Sequence, residues 1–440
     1  MKASVVVSLS AVTAALVISG CSSSSDSTTG DSSLPVWTSG KADVNVTSAA
    51  AGINELRQAS EVWASPLGNT DIPLAPSYAG ATTFYDKAAA AKALLEAKRA
   101  PKGREAARSA ALKGPARAAA PLSATFDCTV SGSLTLTYNE GPWSDTGWFE
   151  SGTEVHNNCV DDGSTLDMYS SCAFFPPFGG TKVTTSGSCA YIVHEDDGYE
   201  DTTESYTSYK ERWDDDASED VFTFSVNVKD SYKDVWSDDG SVESGTFTYT
   251  SNGYYELHGV QGVGGDGEIK LRNEAKSYNA KENYEYSYAL DMDTHIDTTV
   301  NGYVGSALFT NGEGGELEQV DGYGYYFSDL VTEDDYVDAN ISHFTVNGTF
   351  GSACLEGTVK LTTLQPMVND ANSIVCAGDS DAMPKAGVIT ISGNGEATAT
   401  FFEAVADSNN SDLNISAGDD SAVYDCWGDL PECGEGMPPL

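Results

Sequence analysis

Strict alternation of apolar and polar residues in short segments is the feature that most limits how this chain can fold. A period of two sends alternate side chains to opposite faces of a β-strand, so that one face can be buried while the other stays in water. From Phe126 onward this pattern returns again and again. The alternating segments lie at residues 133–138, 222–228, 245–250, 284–290, 344–346, 357–361 and 387–391.

Turn signals separate these segments. Asp-Gly and Asn-Gly pairs, such as Asp197-Gly198, Asp239-Gly240 and Asn252-Gly253, suit two-residue hairpin turns because both central residues of such a turn adopt positive φ. No long apolar pattern of helical period follows Pro121. The sequence therefore predicts an all-β body, an antiparallel meander that forms a sandwich or an open barrel.

The chain before Pro121 has a different composition. Residues 49–64 and 86–99 are rich in Ala, Leu, Glu, Lys and Arg, which predicts helices, and residues 98–120 have the composition of a basic, partly disordered linker. We expect a signal peptide over 1–20, a Ser-rich tether over 21–33, an Ala-rich helical segment with a basic linker over 34–121, and a β domain over 122–440. Similar Cys-led segments begin at Cys128 and Cys354, so a subdivision of the β domain near residue 340 also fits the pattern.

Charge divides the chain at the same place. Residues 1–120 contain 12 Lys and Arg against 9 Asp and Glu, a net charge of +3, whereas residues 121–440 contain 11 against 57, a net charge of −46. Binding of nucleic acid needs Lys and Arg at phosphates, so such an acidic body argues against a nucleic-acid partner. It favours either a well-solvated surface or capture of a cation or basic partner.

The amino terminus has the form of an export signal. Lys2 precedes a short apolar run that ends in Ile18-Ser19-Gly20-Cys21, and a Ser/Asp/Thr/Gly tract follows. The four residues resemble the lipobox of bacterial lipoproteins, and the β-rich body loosely resembles uncharacterised lipoproteins of that kind. The resemblance implies a diacylglycerol on Cys21, removal of residues 1–20 and attachment to a membrane through several acyl chains. Ser at position 22 implies the outer membrane if the host is Gram-negative.

Eight further cysteines form an even set, which in an exported chain predicts disulfides. The connectivity stays open among 105 possibilities. Pairing each cysteine with the next one along the chain is the simplest choice because every loop is then short. The eight candidates are Cys128, Cys159, Cys172, Cys189, Cys354, Cys376, Cys426 and Cys433.

One segment has the spacing of a metal site. Asp291, Asp293, His295 and Asp297 alternate, so in a regular strand all four would project from one face and could bind a calcium ion. The competing interpretation is that they form the solvated face of an acidic strand, and this interpretation is favoured. No other cofactor is indicated.

Signals for catalysis are weak. The chain lacks G-x-S-x-G and H-E-x-x-H, and its acidic residues are too numerous to single out a catalytic pair. We therefore expect a lipid-anchored, exported β-protein of the cell envelope with a non-catalytic structural or binding role, its partner being cationic or another envelope protein. Two alternatives stay open: a carbohydrate-active enzyme or sugar-binding module that uses the many tyrosines, and a module that binds divalent cations.

Overall fold

The architecture comes from a computed structural model of the chain. It describes residues 40–63, 121–144, 146–162, 166, 170, 172, 182–215, 220–237, 239–258, 269–311, 317–377, 379, 381–403 and 411–431. The lipobox with Cys21, the signal peptide, the Ser-rich tether, the predicted helix at 86–99 and Cys433 lie outside these residues. No helix in the described part of the chain is long and apolar enough to span a membrane.

The described residues form one α-helix, sixteen β-strands and a single 3₁₀ turn at Trp427–Asp429. The elements are α1 Val46–Trp63, β1 Leu122–Asp127, β2 Ser131–Pro142, β3 Trp148–Asp161, β4 Lys182–Asp196, β5 Tyr199–Asp215, β6 Asp220–Trp236, β7 Val242–His258, β8 Ile269–Ser287, β9 Met292–Asn311, β10 Leu317–Tyr336, β11 Ile341–Ser352, β12 Gly357–Asp370, β13 Ala386–Gly393, β14 Gly395–Glu403, β15 Ser411–Ala417 and β16 Asp420–Tyr424.

All sixteen strands belong to one antiparallel sheet, and each strand pairs with its neighbours in sequence. The predicted all-β antiparallel meander is confirmed. Within the described residues, β1 and β16 are not paired with each other, so the sheet is open. The sheet also continues without a break past residue 340, because β10, which ends before this residue, pairs with β11, which begins after it.

One face of the sheet, which we call the inner face, carries the hydrophobic core. Leu134, Tyr191, Val228, Tyr249 and Val300 project from it, and each is at most 6% exposed. Residues that alternate with them on the opposite, outer face are mostly exposed or half-buried. Alternation along the strands therefore produces the one-sided burial that it predicts.

Helix α1 begins with a reciprocal cap. The Asn45 side chain accepts the backbone N–H of Ser48 at 3.0 Å, and the Ser48 hydroxyl accepts the N–H of Asn45 at 2.9 Å. The predicted helix at 49–64 is confirmed as Val46–Trp63. All seven residues at positions 48–54 are buried, so this part of the helix is enclosed on every side rather than amphipathic. Small side chains such as Ala49 and Ala50 permit this close enclosure.

The segment before α1 joins the helix to the β body. Ala42 donates its N–H to the carbonyl of Thr358 at 3.0 Å, and its carbonyl accepts the N–H of Asn394 at 2.7 Å. Gly393 leaves room for this approach, since a Cβ there would lie 2.3 Å from the Ala42 carbonyl oxygen. Residues 40–63 are therefore part of the folded body, although their composition groups them with the linker.

The predicted turns have different outcomes. Asp197-Gly198 forms the two-residue turn between β4 and β5, where Asp196 pairs with Tyr199. The prediction at Asn252-Gly253 is wrong, because β7 continues through both residues and only shifts register there. Gly253 adopts φ +150° inside this bulge. Because Gly accepts positive φ at little cost, it suits a bulge as well as a hairpin turn.

Candidate functional site

A band of acidic side chains continues the inner face beyond the hydrophobic core. We call these seven residues on β5–β9 the carboxylate belt. Its members are Glu200, Glu204, Asp230, Asp234, Glu243, Glu282 and Asp293. Each is buried or half-buried. The Lys, Arg and His side chains described within β5–β9, such as Lys229, Lys233 and Lys281, project from the outer face instead. Among the side chains described in β5–β9, no cationic one therefore lies beside the belt on its own face.

Two pairs of belt carboxylates lie directly opposite each other across β5 and β6. Glu204 pairs in register with Asp230, and Glu200 pairs with Asp234. Glu195 on β4 is in turn opposite Glu200. Like charges in such positions destabilise a sheet. The arrangement thus costs stability unless the carboxyls are protonated or a cation lies between them.

Burial raises the pKa of most belt carboxyls. It raises the pKa of Glu204 to about 7, with the charge of Asp230 adding to the effect, and that of Asp230 to about 6. The pKa values of Glu200 and Asp293 are also raised, first by burial and then by neighbouring acidic groups that include Glu243. Removal from water and mutual repulsion both disfavour the ionised forms. Binding of a cation would relieve both costs.

Tyr284 connects the upper part of the belt. Its hydroxyl donates to Asp234 on β6, lies 3.0 Å from Glu243 Oε1 on β7 and is 2.9 Å from the hydroxyl of Tyr232. One hydroxyl has one proton, so it cannot donate to both carboxylates at once. Glu243 also accepts the indole N–H of Trp236 at 2.9 Å.

Gly245 creates the space that Tyr284 occupies. The two residues are opposite partners on β7 and β8. A Cβ at position 245 would lie 2.0 Å from the Tyr284 ring and 2.5 Å from Asp234 Oδ1. The ring therefore reaches across β7 to β6 only because position 245 has no side chain.

A second polar cluster is buried in the core beneath β3–β5. Both ring nitrogens of His156 are engaged, Nε2 with Glu154 at 2.6 Å and Nδ1 with Thr185 at 2.7 Å. Tyr209 donates to Glu211 at 2.7 Å. Glu154, His156 and Glu211 are each at most 3% exposed. Their hydrogen bonds within the protein and their burial identify this cluster as a satisfied core network rather than a surface for ligands.

The four residues of the predicted metal site occupy different places. Asp291 lies in the turn before β9 and accepts the hydroxyl of Tyr286 at 2.6 Å. On β8, the adjacent residues Glu285 and Tyr286 pair with His295 and Asp293 of β9, which are two positions apart. This bulge in β9 places Asp293 and His295 on opposite faces of the sheet.

Only Asp293 of the four joins the belt. On the outer face His295 lies 2.7 Å from Asp335 and 3.5 Å from Asp297, and the hydrogen bond with Asp335 raises its pKa. The alternation that groups the four residues in the sequence is thus interrupted by one extra residue in β9.

The disulfides follow the sequential pairing only in part. Cys128 bonds Cys159 and Cys172 bonds Cys189, as in the simplest arrangement. The simplest pairing is wrong for Cys376, which bonds Cys426 across 50 residues with Cα atoms 5.9 Å apart. Sequence distance is misleading here because the loop after β12 returns to the end of β16. Cys354 is disulfide-bonded as well.

Cysteine and carboxylate groups meet at three places in the described residues, but none is a thiolate metal site. Asp161 lies beside Cys128 and Cys159, Glu154 beside Cys172 and Cys189, and Asp379 beside Cys376 and Cys426. All six cysteines are in disulfides and so lack the free thiolate that metals bind.

The belt is the part of the site that sequence reasoning misses. Its signal is present in the chain, because acids and tyrosines recur at alternate positions, as in Glu200-x-x-x-Glu204 and Asp230-x-Tyr232-x-Asp234. Alternation alone does not distinguish the inner from the outer face when both carry acids. Comparison with protein families, curated proteins and solved structures finds no match to this chain.

Proposed function

We propose that this chain is a lipid-anchored protein of the cell envelope that binds a cationic ligand on the carboxylate belt and catalyses no reaction. The observation that carries the binding role is the belt itself, in which seven half-buried or buried carboxyls share the inner face with no Lys, Arg or His of the described parts of β5–β9. A cationic ligand would provide the positive charge that balances these carboxylates.

The lipobox at Ile18–Cys21 supports the anchor, and the three disulfides among the described residues fit an oxidising compartment. Residues 21–40 can span at most about 65 Å, so Gly40, the first described residue, would lie within that distance of the membrane surface. We place the protein in the outer membrane if its host is Gram-negative. Metabolic labelling with a fatty-acid analogue should label the wild type and should not label Cys21→Ser.

Glycoside hydrolysis is the second candidate, and one observation favours it. Asp234 and Glu243 both contact the Tyr284 hydroxyl, which holds their nearest oxygens within about 6 Å of each other, close to the spacing of a retaining glycosidase pair. Asp234, however, is only 3% exposed, and tyrosine and tryptophan donors already occupy both carboxylates. Capture of a cation needs neither a free nucleophile nor room for a sugar ring, so it fits this geometry better.

Calorimetric titration of the full lipidated chain in nonionic detergent tests the binding role, with calcium and spermidine as probes. Glu200→Gln/Asp234→Asn removes two belt charges. Glu285→Gln/Glu333→Gln is the matched control, because it removes two exposed outer-face charges. We expect at least one probe to bind the belt variant about tenfold or more weakly and the control almost as tightly as the wild type. Equal weakening in both variants, or no binding to the wild type, would contradict the proposal.

A further inference from the structure

Three buried hydroxyls at the base of the belt make no hydrogen bond of ordinary geometry. They belong to Tyr249, Ser251 and Tyr278, none of which is more than 2% exposed. Tyr249 and Ser251 are neighbours on the inner face of β7, and a weak hydrogen bond between their hydroxyls opposes the rise that burial causes in the pKa of Tyr249, but neither hydroxyl makes a hydrogen bond of ordinary geometry. Nearly all buried hydroxyls in native proteins are paired, so three together indicate a polar ligand that satisfies them.

These hydroxyls adjoin the most strongly shifted carboxyl pair of the belt. Tyr249 is the register partner of Asp230, which is itself opposite Glu204, so the three side chains form one row across β5, β6 and β7. Ser251 is the register partner of Tyr278 on β8. The charge of Asp230 acts on the pKa of Tyr249, and Tyr249 in turn acts on that of Tyr278. Carboxylate and hydroxyl side chains of four adjacent strands thus adjoin one another on this part of the inner face.

We propose that Glu204 and Asp230, with the hydroxyls of Tyr249, Ser251 and Tyr278, form a calcium site at the base of the belt. This inference rests on the proposed cation-binding function and names its ligand. The two carboxylates bind the ion directly, and the hydroxyls complete its shell either directly or through coordinated water.

The donor atoms select the kind of ion. Every side chain in the set offers oxygen, and none offers nitrogen or sulfur, which favours a hard cation over zinc or copper. A bound water could pair with the hydroxyls, but it could not balance two facing carboxylates. A divalent ion balances both charges. Calcium fits better than magnesium because it accepts the irregular geometry that four strands impose, whereas magnesium requires a near-ideal octahedron.

Calorimetric titration of the full chain, after removal of metals with a chelator, tests this site at neutral pH. We expect one calcium ion per chain, with a Kd on the order of 10⁻⁴ to 10⁻³ M as in other extracellular modules, and weaker binding of magnesium. Glu204→Gln/Asp230→Asn should abolish this binding, while the outer-face control Glu285→Gln/Glu333→Gln should retain it.

Tyr249→Phe provides a variant that should fold at least as well as the wild type, because the hydroxyl it removes makes no hydrogen bond of ordinary geometry. We expect it to bind calcium about tenfold more weakly with its melting temperature in chelator unchanged or higher. Calcium binding that survives in Glu204→Gln/Asp230→Asn would overturn the site. Binding of spermidine without calcium would overturn the site and leave the proposed function intact, and binding of neither would overturn both.

Discussion

Raising the pH should destabilise this protein across a range in which most proteins change little. Three half-buried carboxyls carry the effect: Glu204 and Glu55 with a pKa of about 7 and Asp230 with a pKa of about 6. Burial is the main cause for each, and Glu55 lies in helix α1 directly after its enclosed part. Because the folded-state values exceed the unfolded ones, these groups favour the folded state while protonated.

The sign and the size follow from these values. The three carboxyls stabilise the folded state fully below their unfolded pKa values near 4. This stabilisation is lost as the pH rises through their folded-state pKa values of about 6 and 7. One pKa unit corresponds to about 1.4 kcal/mol, so each group should contribute roughly 2 kcal/mol and the three together about 6 kcal/mol between about pH 5 and pH 8. Exposed carboxylates are already ionised over most of this range and add little to the slope.

Urea unfolding in the presence of a chelator, at constant ionic strength and several pH values, measures this loss as a falling midpoint. Glu204→Gln/Asp230→Asn removes two of the three groups and should reduce the pH slope by about two thirds. The exposed pair Glu285→Gln/Glu333→Gln should leave the slope unchanged. A wild-type midpoint that stays constant or rises with pH, or a belt variant with the full slope, would refute the reasoning.

Three substitutions test packing and the Tyr249 hydroxyl through the free energy of unfolding. Gly245→Ala should destabilise by about 2 kcal/mol, because the new methyl group overlaps the Tyr284 ring, whereas Gly40→Ala, with no atom within 4 Å of its Cβ position, should change stability by less than about 0.5 kcal/mol. Tyr249→Phe should stabilise the chelated protein by about 1 kcal/mol because it removes a buried hydroxyl that makes no hydrogen bond of ordinary geometry; a loss of that size would mean that its contact with Ser251 is a stabilising hydrogen bond. Ala50→Leu should cost about 1–3 kcal/mol because Ala50 is fully buried in the enclosed part of α1, and a neutral result would mean that the helix has an open side.

The strands are the part of the fold that sequence reasoning captures best. Alternation is a local property, so segments such as 222–228 and 245–250 are recognisable without knowing what they pair with, and both lie inside strands. The limits appear where a decision depends on distant residues. Asn252-Gly253 has the composition of a turn, yet the long strands on either side continue through it as a bulge.

The site is harder to predict for the same reason. One extra residue in β9 separates Asp293 from His295, and nothing in their spacing announces it. Whether Asp230 and Glu204 face the core or the solvent depends on which side of the sheet closes over the apolar residues. Composition shows that the chain is acidic, but only the register shows that some of the acids face one another.

Proton release on cation binding tests the proposed ligand role of the inner-face carboxyls most directly. Calcium must displace any proton held by Glu204 or Asp230, because metal ions bind the ionised carboxylate. Calorimetric titrations near pH 6.5 in two buffers of different ionisation enthalpy should therefore report release of about one proton per ion, falling toward zero near pH 9. Calcium binding without proton release at either pH would mean that the ion binds ordinary exposed carboxylates, and it would contradict a site on the inner face.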